Sequence, residues 1–222
     1  MRRTLALRVF SLALSLATAP AFGWDVGFNF RATSGFVVDP SPTTWAIAGV
    51  TGYPTTRTIA GQVITFGWET MSPSLPGITR DRGTFAGPLI AGINCQSNDG
   101  STSIFRVDLP STGIYAVGLA LGDGVGNNGM NNHAKIRSTT TDLFAVDANS
   151  VNNFADATGT LLSPLAWGSS NTMVQRTFGT TTFRLALGGT ADSGLACLSH
   201  LRITLIQASQ PAIAVPRNFI LQ

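Results

Sequence analysis

Five side chains are of types that suit recognition of a polar, ring-shaped ligand. They are Tyr53, Trp68, Arg80, Arg82 and Trp167. Aromatic rings offer apolar faces on which a sugar ring stacks, and planar guanidinium groups form paired hydrogen bonds with oxygen atoms. We therefore predict a carbohydrate-binding site in which these five residues contact the ligand.

Trp68 has a second interpretation that its spacing supports. It continues the alternating apolar face of Ile64 and Phe66, and residues two apart on a strand point to the same side. This pattern is also that of a core tryptophan. Aromatic residues beside loops, Tyr53 and Trp167, are the stronger contacts on this argument.

Catalytic patterns are scarce in this sequence. Glu69 is its only glutamate, and Asp81 and Asp123 are the carboxylates that a sugar-cleaving enzyme would pair with it. Asp81, however, lies between Arg80 and Arg82, which favours local ion pairs. The sequence contains no G-x-S-x-G, no phosphate-binding glycine loop and no H-E-x-x-H. We predict a protein that binds and does not catalyse.

Metal ligands are equally sparse. His133 and His200 are the only histidines, and neither has the cysteine or carboxylate spacing of a zinc site. Asp123, Asn127 and Asn128 lie in a glycine- and asparagine-rich segment and offer oxygen ligands of the kind that calcium prefers. Calcium is therefore the one cofactor we consider, with a solvated connection as the alternative.

The chain has two cysteines, Cys95 and Cys197, both in or beside expected strands. Exported proteins retain disulfides, and closing a loop of about 100 residues contributes about 4.7 kcal/mol on the chain-entropy model. Two buried thiols are the alternative. The sequence leaves both open.

The first 21 residues have the three parts of a secretory signal. Three arginines precede the apolar run Val9–Ala19, and residues 19–21 read Ala-Pro-Ala. The run is too short for a membrane span, which needs about 20 apolar residues. We predict a secreted protein; the alternative is an apolar arm retained in an assembly.

Composition and charge narrow the class of protein further. Only 11% of the 222 residues are charged and 44% are hydrophobic, which excludes disorder by charge excess and suits one domain. Without the three arginines of the leader, the formal net charge of +3 falls to zero. A neutral chain gives no electrostatic reason to expect nucleic acid as a partner.

Short alternating runs, broken by glycine, proline, asparagine and aspartate, predict strands. The expected strands are Asp25–Arg31, Thr44–Val50, Val63–Glu69, Leu89–Gln96, Ser103–Leu109, Ile114–Leu121, Lys135–Ser138, Asp142–Asp147, Arg176–Phe178, Thr181–Leu187 and Leu198–Ile206. They predict an all-β fold, a single antiparallel β-sandwich over residues 24–207, followed by a tail at 208–222.

Two pairs of these runs are expected to form hairpins. Ser103–Leu109 and Ile114–Leu121 are separated by the turn Pro-Ser-Thr-Gly, and this pair is the clearest hairpin signal. Lys135–Ser138 and Asp142–Asp147 form the second. Residues 122–133 and 147–171 are expected to be long loops, which are often functional.

Several short segments, in order along the chain, resemble a known family. They are Phe28-Asn29-Phe30, Tyr53, Phe66-Gly67-Trp68, Arg80-Asp81-Arg82, Phe105 to Pro110, Gly113 to Val117, Leu121-Gly122-Asp123 and Leu201-Arg202-Ile203. Together they resemble the galactose-binding-like, malectin-type β-sandwich, as found before some secreted pectin esterases and in phage and bacterial proteins. The resemblance implies a jelly-roll and a non-catalytic carbohydrate-binding module. Arg31 departs from it, where the family has glycine.

Two functions from different classes follow. The first is a secreted carbohydrate-binding or adhesion module whose partner is a glycan or polysaccharide. The alternative is a structural protein of a virion or other surface assembly, of the decoration or tail type, that uses the same sandwich without a sugar site. Its partners would be further copies of itself or other surface proteins.

Overall fold

A computed structural model describes most of the domain and shows an all-β architecture. In the described residues the chain forms strands and turns and no helix. These residues are 23–30, 45–47, 51–59, 61–71, 78–81, 92–97, 103–122, 130–150, 153–162, 172–188 and 195–210. The expected leader and most of the expected tail lie outside them.

Fifteen strands are formed in this part of the chain. They are β1 Asp25–Asn29, β2 Trp45–Ile47, β3 Thr55–Ile59, β4 Gln62–Thr70, β5 Ile78–Asp81, β6 Gly92–Ser97, β7 Ser103–Asp108, β8 Gly113–Gly122, β9 Met130–Ser138, β10 Thr141–Ser150, β11 Phe154–Ala155, β12 Leu161–Leu162, β13 Val174–Phe178, β14 Thr182–Leu187 and β15 Leu195–Ala208.

The strands form two sheets, which confirms the predicted β-sandwich. The first sheet runs β12-β11-β8-β15-β1-β2, with β13 also paired to β8, and with β6 joining β5 to β15. The second runs β10-β9-β14-β7-β4-β3. Neighbouring strands are antiparallel in both sheets, apart from the parallel pair β1–β2.

Apolar side chains from both sheets meet in one core. In β7, Phe105 and Val107 are fully buried, whereas Arg106 and Asp108 point to the outer face, as the period of two requires. The ring centroid of Phe105 lies 5.3 Å from that of Phe28 and 4.9 Å from that of Phe30, which come from the opposite sheet. Tilted and edge-to-face aromatic contacts therefore join the two layers.

The clearest expected hairpin is wrong. Ser103–Asp108 belongs to the second sheet and Gly113–Gly122 to the first, so the intervening turn crosses from one layer to the other. The physical reason is burial. Every residue of β8 except Ile114 is buried, so β8 occupies the interior of its sheet beside β15. β7 alternates between buried and half-buried residues and pairs instead with β4 and β14.

The second expected hairpin is confirmed. β9 and β10 pair antiparallel around a two-residue turn, in which Thr139 has a φ of 57°. β9 begins at Met130, so the expected loop at 122–133 is shorter than predicted. The residues Asp123, Asn127 and Asn128 lie outside the described part of the chain.

The two cysteines face each other across paired strands. Cys95 of β6 and Cys197 of β15 are directly opposite in the antiparallel register. Cys197 is disulfide-bonded, and the chain has one other cysteine, so its partner is Cys95. The bond ties β6 to the longest strand of the first sheet.

Candidate functional site

The outer face of the second sheet gathers much of the charge of a sparsely charged protein. Four basic and three acidic side chains lie there, out of 14 and 11 in the whole chain, and they include its only glutamate and its only lysine. We call this surface the charged face. Its members are Glu69, Arg106, Asp108, Lys135, Arg137, Asp142 and Arg184, and Tyr53 lies against them.

Sheet register aligns three arginines across the charged face. Arg184 of β14 is directly opposite Arg106 of β7 on one side and Arg137 of β9 on the other. Like charges directly opposite in a sheet are destabilising, so this row needs carboxylates to offset it. Glu69, Asp108 and Asp142 provide them.

Glu69 joins two of the three arginines. Its carboxylate accepts a hydrogen bond from Arg106 Nη1 at 3.0 Å, and from Arg184 Nε at 2.6 Å and Nη2 at 2.9 Å. The register of β4 against β7 shifts between Trp68 and Thr70, so Glu69 occupies a β-bulge. Hydrogen bonds from Arg184, and then from Arg106, hold the pKa of Glu69 below its usual range, against the opposing effect of burial. The side chain is therefore an anion at neutral pH.

Tyr53 contacts the same group of charged residues through Asp108 and Arg106. Its hydroxyl donates to Asp108 Oδ2 at 3.0 Å, and the guanidinium carbon of Arg106 lies 4.4 Å from the centre of its ring. Asp108 also accepts from Arg106 Nε at 2.8 Å. Burial, and then the hydrogen bond and charge of Asp108, raise the pKa of Tyr53. The phenol therefore keeps its proton and remains a donor. We call Tyr53, Glu69, Arg106, Asp108 and Arg184 the tyrosine network.

A close backbone contact between the segment 51–53 and β4 positions Tyr53. The segment 51–53 runs beside Trp68, whose N–H donates to the Thr51 carbonyl at 2.8 Å and whose carbonyl accepts from Tyr53 N–H at 3.0 Å. A Cβ at Gly67 would lie within 2.5 Å of backbone atoms of Gly52 and Tyr53, and Gly67 has a φ of 143°. Only glycine fits there. Because Gly67 is directly opposite Arg106, this close contact brings the Tyr53 ring next to that arginine.

The far end of the charged face is a second, smaller cluster. Arg137 Nε donates to Asp142 Oδ1 at 2.5 Å, and Lys135 Nζ lies 3.6 Å from Asp142 Oδ2. The hydrogen bond from Arg137, and then the charges of Arg137 and Lys135, lower the pKa of Asp142 despite burial. We call Lys135, Arg137 and Asp142 the arginine corner.

The structure separates the five predicted contact residues. Tyr53 lies on the charged face, where its hydroxyl meets Asp108. Trp68 does not: it is 3% exposed, and its ring packs against Phe30 and Phe105 in the core, which is the second interpretation of its spacing. The backbone of Arg80 lies in β5 of the first sheet, the opposite layer from Tyr53. Arg82 and Trp167 lie outside the described residues.

Arg106, Asp108 and Arg184 were not among the predicted site residues. Their outward direction is readable, since Arg106 and Asp108 alternate with buried Phe105 and Val107. The sequence does not predict that they lie together, because Arg184 is 78 positions beyond Arg106 and is brought next to it only by strand pairing.

Glu69, the carboxylate that a glycosidase would need, does not have the character of a general acid. Such an acid has a raised pKa, and that of Glu69 is lowered by two arginines. Within the described segments, no group of three or more His, Cys, Asp or Glu side chains has the geometry to hold a metal ion. No helix in the same part of the chain is long and apolar enough to cross a membrane.

Comparison with known proteins gives matches among solved structures. No protein-family model and no curated protein matches the sequence. A calcium-binding mutant of Bacteroides uniformis beta-glucuronidase 2 is 15% identical with a TM-score of 0.45, and the match covers 83% of this chain and 18% of that one. A family 35 carbohydrate-binding module from Clostridium thermocellum is 13% identical with a TM-score of 0.34, covering 68% and 98%.

A further match is the family 32 module of C. perfringens NanJ in complex with galactose. It is 15% identical with a TM-score of 0.30, and the match covers 64% of this chain and 93% of that one. Carbohydrate-binding modules are thus among the structures this chain resembles. At such TM-scores and identities, the case for a function rests on the chain's own residues.

Proposed function

We propose that the protein is a non-catalytic carbohydrate-binding module and that the tyrosine network is its binding surface. The observation that carries the proposal is the hydrogen-bonded, partly exposed cluster of planar polar groups beside an aromatic ring on a sheet face. Arg106, Arg184 and Glu69 are each only about a fifth to a quarter exposed, yet they remain open to solvent on one side. Rigid groups of this kind lose little entropy when they bind a ligand.

The chemistry of the network suits sugar hydroxyls. Arg106 uses Nε and Nη1 within the network, and no group among the described residues accepts a hydrogen bond from its Nη2, which is therefore available as a donor. Asp108 and Glu69 supply acceptor oxygens, and the phenol of Tyr53 supplies an oxygen and an aromatic edge. Alternating donors and acceptors at fixed spacing can engage neighbouring hydroxyls, which each donate and accept.

The test is affinity electrophoresis through gels that contain soluble polysaccharides, together with a glycan array. Tyr53→Ala is expected to weaken retardation about tenfold, because it removes the ring and releases Arg106 and Asp108. Leu161→Ala is the matched control, since Leu161 is an exposed apolar residue of β12 in the other sheet. Thermal unfolding of both variants separates lost binding from lost folding.

Two outcomes would contradict the proposal. One is the absence of binding to every glycan by the wild-type protein. The other is binding that Tyr53→Ala leaves unchanged. A homogeneous oligomer of defined size without glycan binding would instead support the virion or surface-assembly alternative, and light scattering measures this directly.

We also propose that the protein is secreted. The support is the order of arginines, apolar run and Ala-Pro-Ala within residues 1–21. Mass spectrometry of protein expressed from the full sequence is expected to find a mature chain that begins at Phe22. A chain that keeps Met1 in the exported fraction would contradict this.

Calcium remains a proposal at Asp123, Asn127 and Asn128, on ligand chemistry alone. Titration calorimetry with calcium chloride, and with magnesium chloride as the control, tests it. The absence of heat with calcium, for the wild type and for Asp123→Ala alike, would remove calcium from the account.

A further inference from the structure

We infer that the arginine corner binds a carboxylate group carried by the glycan, so that the preferred ligand is an acidic polysaccharide. This inference rests on the proposed glycan-binding function and adds its ligand class. The corner consists of Lys135 and Arg137 on β9 and Asp142 on β10.

Charge is balanced at one end of the charged face and not at the other. In the tyrosine network, the two cations Arg106 and Arg184 are matched by the two anions Glu69 and Asp108. In the arginine corner, Lys135 and Arg137 share the single carboxylate of Asp142. The corner therefore carries one unmatched positive charge.

Hydrogen-bond donors show the same difference. Arg184 uses all three of its nitrogens, two on Glu69 and Nη1 on the Thr139 carbonyl. Arg137 uses Nε alone, on Asp142. Among the described residues, no group accepts a hydrogen bond from its Nη1 and Nη2, and its side chain is 24% exposed. The fork of Arg137 is thus held in place at its base and free at its tip.

A free guanidinium fork with a neighbouring ammonium group fits a carboxylate. The two parallel N–H groups of the fork match two carboxylate oxygens, and Lys135 adds a point charge. The three aligned arginines are offset by the three carboxylates Glu69, Asp108 and Asp142, and Lys135 adds a further cation beside Asp142. A ligand carboxylate would balance this additional charge.

The corner is placed to act together with the tyrosine network. Arg137 and Arg106 are two strands apart, since β14 lies between β9 and β7. With neighbouring strands about 4.8 Å apart, their backbones are roughly 10 Å from each other on one surface. A glycan longer than this can contact the network with its hydroxyls and the corner with a carboxylate.

The test measures affinity for polygalacturonate and for a neutral galactan by affinity electrophoresis. For the wild type we expect tighter binding to polygalacturonate, and we expect this preference to weaken as salt rises from 50 to 500 mM. Arg137→Ala is expected to lower the ratio of acidic to neutral affinity about tenfold. Arg57→Ala is the matched control, because Arg57 is an exposed arginine on the edge strand β3, away from the corner.

If Arg137→Ala folds poorly, a second variant tests the same inference. Asp142→Asn removes the one anion of the corner and is expected to raise the affinity for polygalacturonate several-fold. Equal affinity of the wild type for both polymers, or no change of the ratio in either variant, would overturn the acidic ligand while leaving glycan binding intact. Failure to bind either polymer or any array glycan would instead count against the proposed function itself.

Discussion

Tyr53 and Trp68 are both aromatic and both close to β4, yet their surroundings assign them opposite roles. The Tyr53 ring lies under a guanidinium on the outer face, and its hydroxyl reaches a carboxylate. The Trp68 ring lies 5.3 Å from Phe105 and 5.7 Å from Phe30 on the inner face. At the residue scale, the side of the sheet decides what an aromatic side chain does.

Replacement of Trp68 by alanine is expected to lower the free energy of unfolding and to leave the glycan affinity of the folded protein unchanged. A buried aromatic side chain replaced by alanine costs about 3–5 kcal/mol in the free energy of unfolding. Urea denaturation followed by circular dichroism measures it. A Trp68→Ala protein of wild-type stability with lost glycan binding would restore Trp68 as a contact residue.

Replacement of Glu69 by glutamine is expected to cost about 2 kcal/mol, because it leaves two guanidinium groups without their shared anion. The pH dependence of unfolding should change with it. The folded-state pKa of Glu69 is lowered, so its contribution is present above the unfolded pKa of about 4.3 and is lost as pH falls through the lower folded value.

Denaturation at pH 7, 5, 4 and 3 tests the Glu69 prediction. The loss of stability below about pH 5 should be smaller in Glu69→Gln than in the wild type. Asp147→Asn is the control, since Asp147 is 61% exposed and should change stability by less than about 0.5 kcal/mol. Parallel pH profiles of the wild type and Glu69→Gln would show that the Glu69 network contributes nothing.

At the scale of the element, β4 organises the site through two local irregularities. Gly67 allows the segment 51–53 to lie against the strand, and the Glu69 carboxylate at the bulge meets two arginines. A regular strand would provide neither feature. A β-bulge changes the direction of a side chain, and a glycine within a strand allows another backbone segment to approach closely.

Gly67→Ala is expected to destabilise the protein by about 2 kcal/mol or more and to weaken glycan binding as well. The added Cβ would overlap the backbone of Gly52 and Tyr53. The segment 51–53 must therefore move away from β4, and Tyr53 must move away from Arg106. Denaturation and affinity electrophoresis measure the two effects. Gly179→Ala, where a Cβ meets no atom within 4 Å, is the control and should behave as the wild type. A Gly67→Ala protein of wild-type stability would contradict the close backbone contact between the segment 51–53 and β4.

At the scale of the molecule, the two sheets share a core, and each has one further feature. The second sheet presents the charged face, and the first sheet contains the disulfide of Cys95 and Cys197. Loss of the disulfide is therefore expected to lower stability without changing the residues of the charged face.

Reduction of the disulfide is expected to lower the free energy of unfolding by up to about 4.7 kcal/mol, since the bond closes a loop of about 100 residues. Guanidinium denaturation with and without a reducing agent measures the difference. The double variant Cys95→Ser, Cys197→Ser should show no response to the reducing agent. An equal midpoint for the reduced and oxidised wild type would show that the bond adds no stability.

Alternation in the sequence predicted most of the strands, and in β7 it also predicted the inward face. It missed β3, β5, β11 and β12. β3 reads Thr-Thr-Arg-Thr-Ile and lies at the edge of its sheet, where exposed residues remove the apolar signal. β11 and β12 have two residues each, too few to show a period. Residue type and a position beside a loop led to Tyr53 and did not lead to its network.

The sequence by itself determined that this protein is all-β and that Arg106 and Asp108 face away from Phe105 and Val107. Both follow from the period of two, which is a local property of a strand. Only the tertiary structure decided that β7 and β8 belong to different sheets and that Arg106, Arg184 and Arg137 share one row. The physical reason is that a period specifies a face, whereas strand neighbours and register depend on long-range burial across the whole core.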